Sequence, residues 1–188
     1  MNSSWKSPNS SASVAEIDFI TALGRLLRDG RLRGAFAANP QAIAEQIQLG
    51  RRDWPAFSQL VPEELEFQAR VLLRKRLELV RQLLPETGRR LGENLWPYFH
   101  EYARACWPAE PRAALQDAFQ FCRHLKQQQP QWVSQSEWNR LCFALSDAHL
   151  SIHCLMREII RGKLQPQLQI FYRGRSKRWR EFVVCFRF

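Results

Sequence analysis

The stretch that decides the fold is Gly162–Phe188, GKLQPQLQIFYRGRSKRWREFVVCFRF. Within it Leu168, Ile170 and Tyr172 alternate with Gln167, Gln169 and Phe171, and Phe182, Val184, Phe186 and Phe188 alternate with Val183, Cys185 and Arg187. A period of two puts successive side chains on opposite faces of an extended strand. The segment therefore predicts a β-hairpin, with Gly174 supplying the turn. Two strands alone are marginal in water, so one face is expected to lie against the rest of the chain.

Upstream of Gly162 the period is helical. Pro62–Leu84 is the strongest case: Leu65, Ala69, Leu72, Leu73, Leu77, Val80 and Leu84 form one stripe, and Arg70, Arg74, Lys75, Glu78 and Arg81 decorate the remainder. Pro62 suits a first helical turn, and Pro85 ends the helix by pushing the preceding residue out of the helical region. A first helix over about Val14–Arg28 follows a capping-box pattern, Ser13 to Glu16, and Asp29-Gly30 stops it. Asn39-Pro40 opens a short helix over Gln41–Ile47, Gly50 closes it, and Asp53 can cap another turn at Trp54–Leu60. Asn94 caps a helix from about Leu95, and Pro108 and Pro111 bracket the step into one at about Arg112–Lys126. Ser134 and Ser136 offer caps for a last helix over roughly Glu137–Arg161, whose apolar residues run nearly all round it and call for a central position.

Length and composition agree with a globular chain. In 188 residues, 45% are hydrophobic and 24% charged, which excludes wholesale disorder, collagen-like and disulfide-scaffold classes. The polar, Ser- and Asn-rich start has no apolar h-region of a secretory signal and reads as a disordered lead. Asp147, Arg157 and Glu158 interrupt the least polar stretch, Leu141–Ile160, and disqualify it as a membrane span. Five cysteines, an odd number with no CxxC pair, fit buried free thiols in a reducing compartment. A cytoplasmic protein is expected.

Charge is unevenly distributed. The chain carries 28 Lys+Arg against 18 Asp+Glu, a net of +10. From Arg157 to Phe188 there are nine Lys/Arg and two acids, a net of +7, so the first 156 residues hold only +3. Arg173, Arg175, Lys177, Arg178 and Arg180 fall within eight residues at the predicted hairpin tip, beside Tyr172 and Trp179. Clustered cations with aromatic faces suit an acidic protein or peptide, or phosphates with stacked bases. The plainer reading is a solvated tip that keeps an edge strand from aggregating. No helix-turn-helix, zinc-finger, RNP or KH pattern accompanies the patch.

Other candidate chemistry is thin. His149 and His153 lie four apart, on one face of the predicted last helix, with Cys142 and Asp147 within two turns; such a pair can begin a metal site but lacks the remaining ligands and the Glu of HExxH. Core or half-buried histidines explain them as well. There is no GxSxG elbow and no Gly-rich phosphate loop, and Glu63-Glu64 at a helix start answer the helix dipole. The tryptophans read as packing anchors, apart from Trp179 beside the cations. Neither a catalytic residue nor a cofactor is indicated.

Leu32-Arg33-Gly34-Ala35-Phe36, Asn39-Pro40, Ile43-Ala44, Leu72-Leu73-Arg74-Lys75-Arg76, Leu83-Leu84-Pro85-Glu86-Thr87 with Leu91-Gly92, and Tyr98-Phe99-His100-Glu101-Tyr102 together carry a resemblance. Over about Leu23–Leu125 the chain resembles a widespread group of small bacterial helical proteins. Some similar proteins act as accessory partners of multinuclear non-haem iron enzymes that modify ribosomal peptides. The shared motifs are turn and packing signals, so no site residue follows from them.

The expected fold is mostly α: a single domain of five to seven helices over residues 13–161, after a lead at 1–12, with a basic β-hairpin at 162–188 packed on it. The expected function is that of a non-catalytic adaptor holding an acidic protein or peptide through Tyr172, Arg173, Arg175, Lys177, Arg178, Trp179 and Arg180. Nucleic-acid binding through the same loop is the alternative, and a metal-binding enzyme subunit using His149 and His153 is the second.

Overall fold

The structure, a computed structural model, describes residues 16–108, 113–158, 164–174 and 178–186. The proposed lead at 1–12, Ser13 of the capping box, and Arg175 and Lys177 lie outside the described residues. The chain is mostly helical and closes with a small antiparallel sheet. It divides into two compact units, Met1–Arg70 and Val71–Phe188. Among the described residues, no helix is long and apolar enough to cross a membrane.

In the first unit, α1 (Phe19–Arg28), α2 (Gly30–Ala38), α3 (Pro40–Gln46) and α4 (Trp54–Ser58) precede α5 (Pro62–Leu83), and the division between the units falls within α5. Helix α1 starts later than the capping box suggests, because Asp18 is its cap and accepts from the Thr21 amide. Asp29 both ends α1 and caps α2, and Asn39 does the same between α2 and α3. Asp53 does not cap α4; its carboxylate accepts from the Phe19 amide at 2.9 Å and so ties α4 to the start of α1. Ala22, Leu26, Phe36, Ile43, Phe57 and Leu65 form the core of this unit.

The second unit adds α6 (Pro85–Leu91), α7 (Leu95–Ala105), α8 (Ala113–Gln128) and α9 (Gln135–Leu145). Its core runs through Val80, Leu84, Leu91, Phe99, Phe121, Leu125 and Leu141. Pro85 ends α5 as expected but also opens α6 as its first residue, where a missing N–H costs nothing. One ion pair is sunk into this core. Asp117 on α8 is 2% exposed and takes both arms of the Arg76 guanidinium, at 2.8 and 2.9 Å, together with the Tyr102 hydroxyl at 2.8 Å. Arg76 also donates to the Cys106 carbonyl and stacks on the Trp107 ring.

The expectation of one long last helix over Glu137–Arg161 is wrong. Helix α9 stops at Leu145, and Leu150–Glu158 is a strand, β1. Ser146 closes the helix with its amide on the Cys142 and Phe143 carbonyls. The Arg173 guanidinium, from far along the chain, donates to the Phe143 and Ser146 carbonyls at 2.9 and 2.7 Å and lies over the Phe143 ring. The sheet therefore has three strands instead of a hairpin's two: β1, β2 (Leu164–Arg173) and β3 (Trp179–Cys185), in the order β1-β2-β3 and all antiparallel. Pro166 in the middle strand cannot donate to β3, and the Gln165 side-chain amide supplies that bond, reaching the Phe186 carbonyl at 2.9 Å.

Candidate functional site: the C-terminal sheet

Antiparallel alternation assigns each residue of the sheet to one face. The register pairs Leu150 with Tyr172, Ile152 with Ile170 and Cys154 with Leu168, and pairs Ile170 with Phe182 and Leu168 with Val184. One face thus holds Leu150, Ile152, Cys154, Met156, Leu168, Ile170, Tyr172, Arg180, Phe182 and Val184. The other holds Ser151, His153, Leu155, Gln167, Gln169, Phe171, Arg173, Trp179, Glu181, Val183 and Cys185.

It is the polar face that is buried. Gln169 is 0% exposed; its amide nitrogen donates to the Ser136 carbonyl and hydroxyl and to Glu181, and its oxygen accepts from Asn139 at 3.2 Å. Arg140 on α9 clasps the Glu181 carboxylate at 2.8 and 3.2 Å. Phe171 stacks on Phe143 at 5.1 Å, and Trp179 meets both rings edge-on, which seals the end of the joint nearest Arg173. On the outward face Leu150 is 57% exposed, Ile152 55%, Met156 59%, Tyr172 52% and Phe182 50%. A sheet normally turns its apolar face inward; here Gln167, Gln169 and Glu181 are turned inward beside Phe171 and Trp179, while most of the large aliphatic side chains face out.

Burial acts against ionisation of Glu181, but hydrogen bonds from Arg140 and Gln169 and the Arg140 charge prevail and hold its carboxyl below its usual pKa. The same pair raises the Arg140 pKa, first through the Glu181 hydrogen bond, against the effect of burial. A carboxyl lowered by folding contributes stability above its unfolded pKa and loses it as pH falls through its folded pKa. Acidification below the ordinary carboxylate range should therefore loosen the joint between α9 and the sheet. Trp179 fluorescence followed against pH should show a transition in the wild type that is absent from Glu181→Gln.

The second feature is an edge. The Gly174 amide donates to the Arg178 carbonyl, and the Phe186 amide to the Pro166 carbonyl. This parity fixes which residues of β3 bond to β2: Arg180, Phe182 and Val184 do, so the amides and carbonyls of Glu181, Val183 and Cys185 point away from the sheet. No described residue pairs with that outer edge. Phe182, Val183, Val184 and Phe186 are all at least 42% exposed, so beyond Glu181 neither face of this strand is covered by the described residues. Arg178 and Arg180 are exposed at its head.

The seven predicted partner-binding residues separate accordingly. Tyr172, Arg178 and Arg180 are displayed, and Tyr172 stands opposite Arg180 in the register. Arg173 is committed to the end of α9, and Trp179 is half-buried against Phe143 and Phe171. The histidines are not on a helix. His149 precedes β1 and His153 lies within it, so their spacing along an extended chain is about 13 Å, too far for one ion to bridge. The ring of His153 instead contacts the Ser151 hydroxyl at 2.7 Å. Among the described residues, no group of three or more His, Cys, Asp or Glu is placed to hold a metal.

The cysteines are free but are not uniformly buried. Burial pushes the Cys122 thiol up to about 12, whereas Cys154 and Cys185 on the strands are exposed. Sequence reasoning missed the inverted sheet and the open edge. The signal was present in Gln167 and Gln169, polar residues on the face that alternates with the apolar one.

Residues 52–127 match a family model described as SCO6045-like, C-terminal domain. The chain is similar to that family there. The match falls on the helical part of the chain, overlaps the stretch Leu23–Leu125 that carries the resemblance, and ends before the sheet. The family's description names no activity. No curated protein and no solved structure matches the chain.

Proposed function

We propose that the protein is a non-catalytic binding adaptor and that its ligand is an extended, acidic segment of a protein or peptide that adds as a strand to the outer edge of β3. The observation that carries this reading is the edge itself: outward amides at Glu181, Val183 and Cys185 beneath two exposed arginines. Strand addition draws its affinity from main-chain hydrogen bonds and its selectivity from alternate side chains. Natural sheets usually block such an edge with proline, inward-pointing charge or a covering element; β3 carries the inward-pointing Glu181 but, among the described residues, none of these from Phe182 to Cys185. Arg178 and Arg180 favour a segment with carboxylates near one end. Free thiols fit a reducing compartment. The resemblance to small bacterial helical proteins, some of which are similar to accessory partners of peptide-modifying iron enzymes, is in keeping with a peptide ligand and with a bacterial source.

The test uses a synthetic ten-residue probe with a Glu pair at each end and alternating Val and Thr between them. It should bind the full-length protein, slow amide exchange at Glu181, Val183 and Cys185, and weaken as salt rises. Val183→Pro removes one outward N–H without touching the ladder to β2 and should weaken the probe by about tenfold or more. A probe N-methylated at alternate residues makes the same cut from the ligand's side, with the protein unaltered. If the methylated probe binds as well as the parent, strand addition is wrong. If a single-stranded oligonucleotide binds and the probe does not, the nucleic-acid reading of the basic tip replaces it.

A further inference from the structure

Beneath the inner face of the sheet lies a cleft of about 860 Å³. Glu181 and Val183 of β3 line it from the sheet, and Arg89, Arg90, Gln131 and Arg140 line it from the helical side. Its place along the sheet follows from the joint with α9. Ser136 and Asn139 meet Gln169, and Phe143 meets Phe171, so α9 runs along β2 and the residues before it lie towards Gln167. The register sets Cys185 opposite Gln167. Arg90 donates to the Gln131 and Val133 carbonyls, which brings the end of α6 to that same part of the sheet.

Val183 belongs to the edge and to the cleft at once. Its amide and carbonyl point away from β2, while its side chain is 49% exposed on the cleft side. A strand added at the edge runs about 4.8 Å from β3, and directly opposed residues share a face. Side chains opposite Val183 and Cys185 therefore hang over the mouth of the cleft, and those between them lie beside Phe182 and Val184. The cleft is not neutral: it is lined by Arg89, Arg90 and Arg140 against Glu86 and Glu181, a net of one cation. Glu86 answers Arg90 at 2.8 Å and Glu181 answers Arg140 at 2.8 Å. Arg89 is exposed and forms no ion pair among the described residues.

We infer that this cleft selects the strand that adds to β3: it takes carboxylate side chains opposite Val183 and Cys185, read by Arg89, while the alternate positions are apolar and pack beside Phe182 and Val184. The inference rests on strand addition at the edge and adds the pattern the ligand must carry, acid and apolar in strict alternation. That pattern also fixes register. A slip by one residue would turn the carboxylates onto Phe182 and Val184 and the apolar side chains into the cleft. Arg178 and Arg180 then act on the ligand at the head of β3, and Arg89 acts at the other end.

Three synthetic peptides and the full-length protein test it. The first is the Val and Thr probe; the second replaces each Thr by Glu; the third has the composition of the second, with its central Glu and Val sorted into two blocks. The alternating Glu probe should bind about tenfold tighter than either of the others, the worth of one added hydrogen bond to a charged group. Arg89→Glu should remove that advantage and change the affinity for the Val and Thr probe less than about threefold, because exposed charges at a distance are screened. Arg31→Glu, the same change of net charge on α2, should leave the advantage in place. An alternating Glu probe that binds no tighter than its block isomer, or that keeps its advantage against Arg89→Glu, overturns the inference and leaves strand addition standing. An alternating Glu probe that binds as well when N-methylated at alternate residues overturns both.

Discussion

Replacing Asp117 by alanine should cost the Val71–Phe188 unit about 3–5 kcal/mol, because it leaves the Arg76 guanidinium charged and unpaired inside a core. For a unit of this size that corresponds to a fall of roughly 10–20 °C in its thermal midpoint. The loss also strips the Tyr102 hydroxyl of its acceptor at 2.8 Å, and burial keeps that phenol protonated by raising its pKa far above the usual value. Near-ultraviolet circular dichroism, to which Trp107 over the Arg76 guanidinium contributes, reads the effect. The pair Arg76→Met with Asp117→Leu should be much less harmful than the single change, since an apolar pair of similar volume avoids the cost of burying charge. A single Asp117→Ala variant that melts with the wild type would show that the ion pair bears no part of the stability of this unit.

Gln169→Leu should have the second-largest effect, and a more local one. The side chain joins Asn139, Ser136 and Glu181 at once, so its loss strands several polar atoms in a closed space. Each uncompensated group costs about 1–3 kcal/mol, and a total of roughly 2–4 kcal/mol is expected, concentrated where α9 meets the sheet. Amide exchange along β2 and β3 should accelerate while that of α5 stays unchanged, and binding of the strand probe should weaken. Equal acceleration in α5 would mean that the joint is not the point of failure.

The helices were legible where the sequence carries its own signals. The stripe from Leu65 to Leu84 places α5, and Asn39 and Ser134 cap α3 and α9 as their positions suggest. The misreading of Leu150–Glu158 has a physical cause. Its apolar residues satisfy a helical period and an alternating one equally well, and neither glycine nor proline separates them from α9. What ends α9 is Ser146 together with Arg173, 27 residues beyond it, a cap assembled only in the folded molecule. The same holds for α6, whose first amides are taken by Glu137 of α9 at 2.6 and 2.9 Å. Cations were counted correctly from the sequence, but their accessibility was not: Arg173 is occupied by its own fold, while Arg178 and Arg180 are not.

The inverted sheet also bears on how such a chain can be produced. A surface of Ile152, Met156, Tyr172, Phe182 and Val184, beside an open strand reading Phe-Val-Val-Cys-Phe, is what drives newly made polypeptides into inclusion bodies. A host that makes this chain alone gives it nothing to cover that surface. On the adaptor reading proposed above, yield in the soluble fraction should rise when the partner is made in the same cell, and co-production then becomes a direct means of finding it.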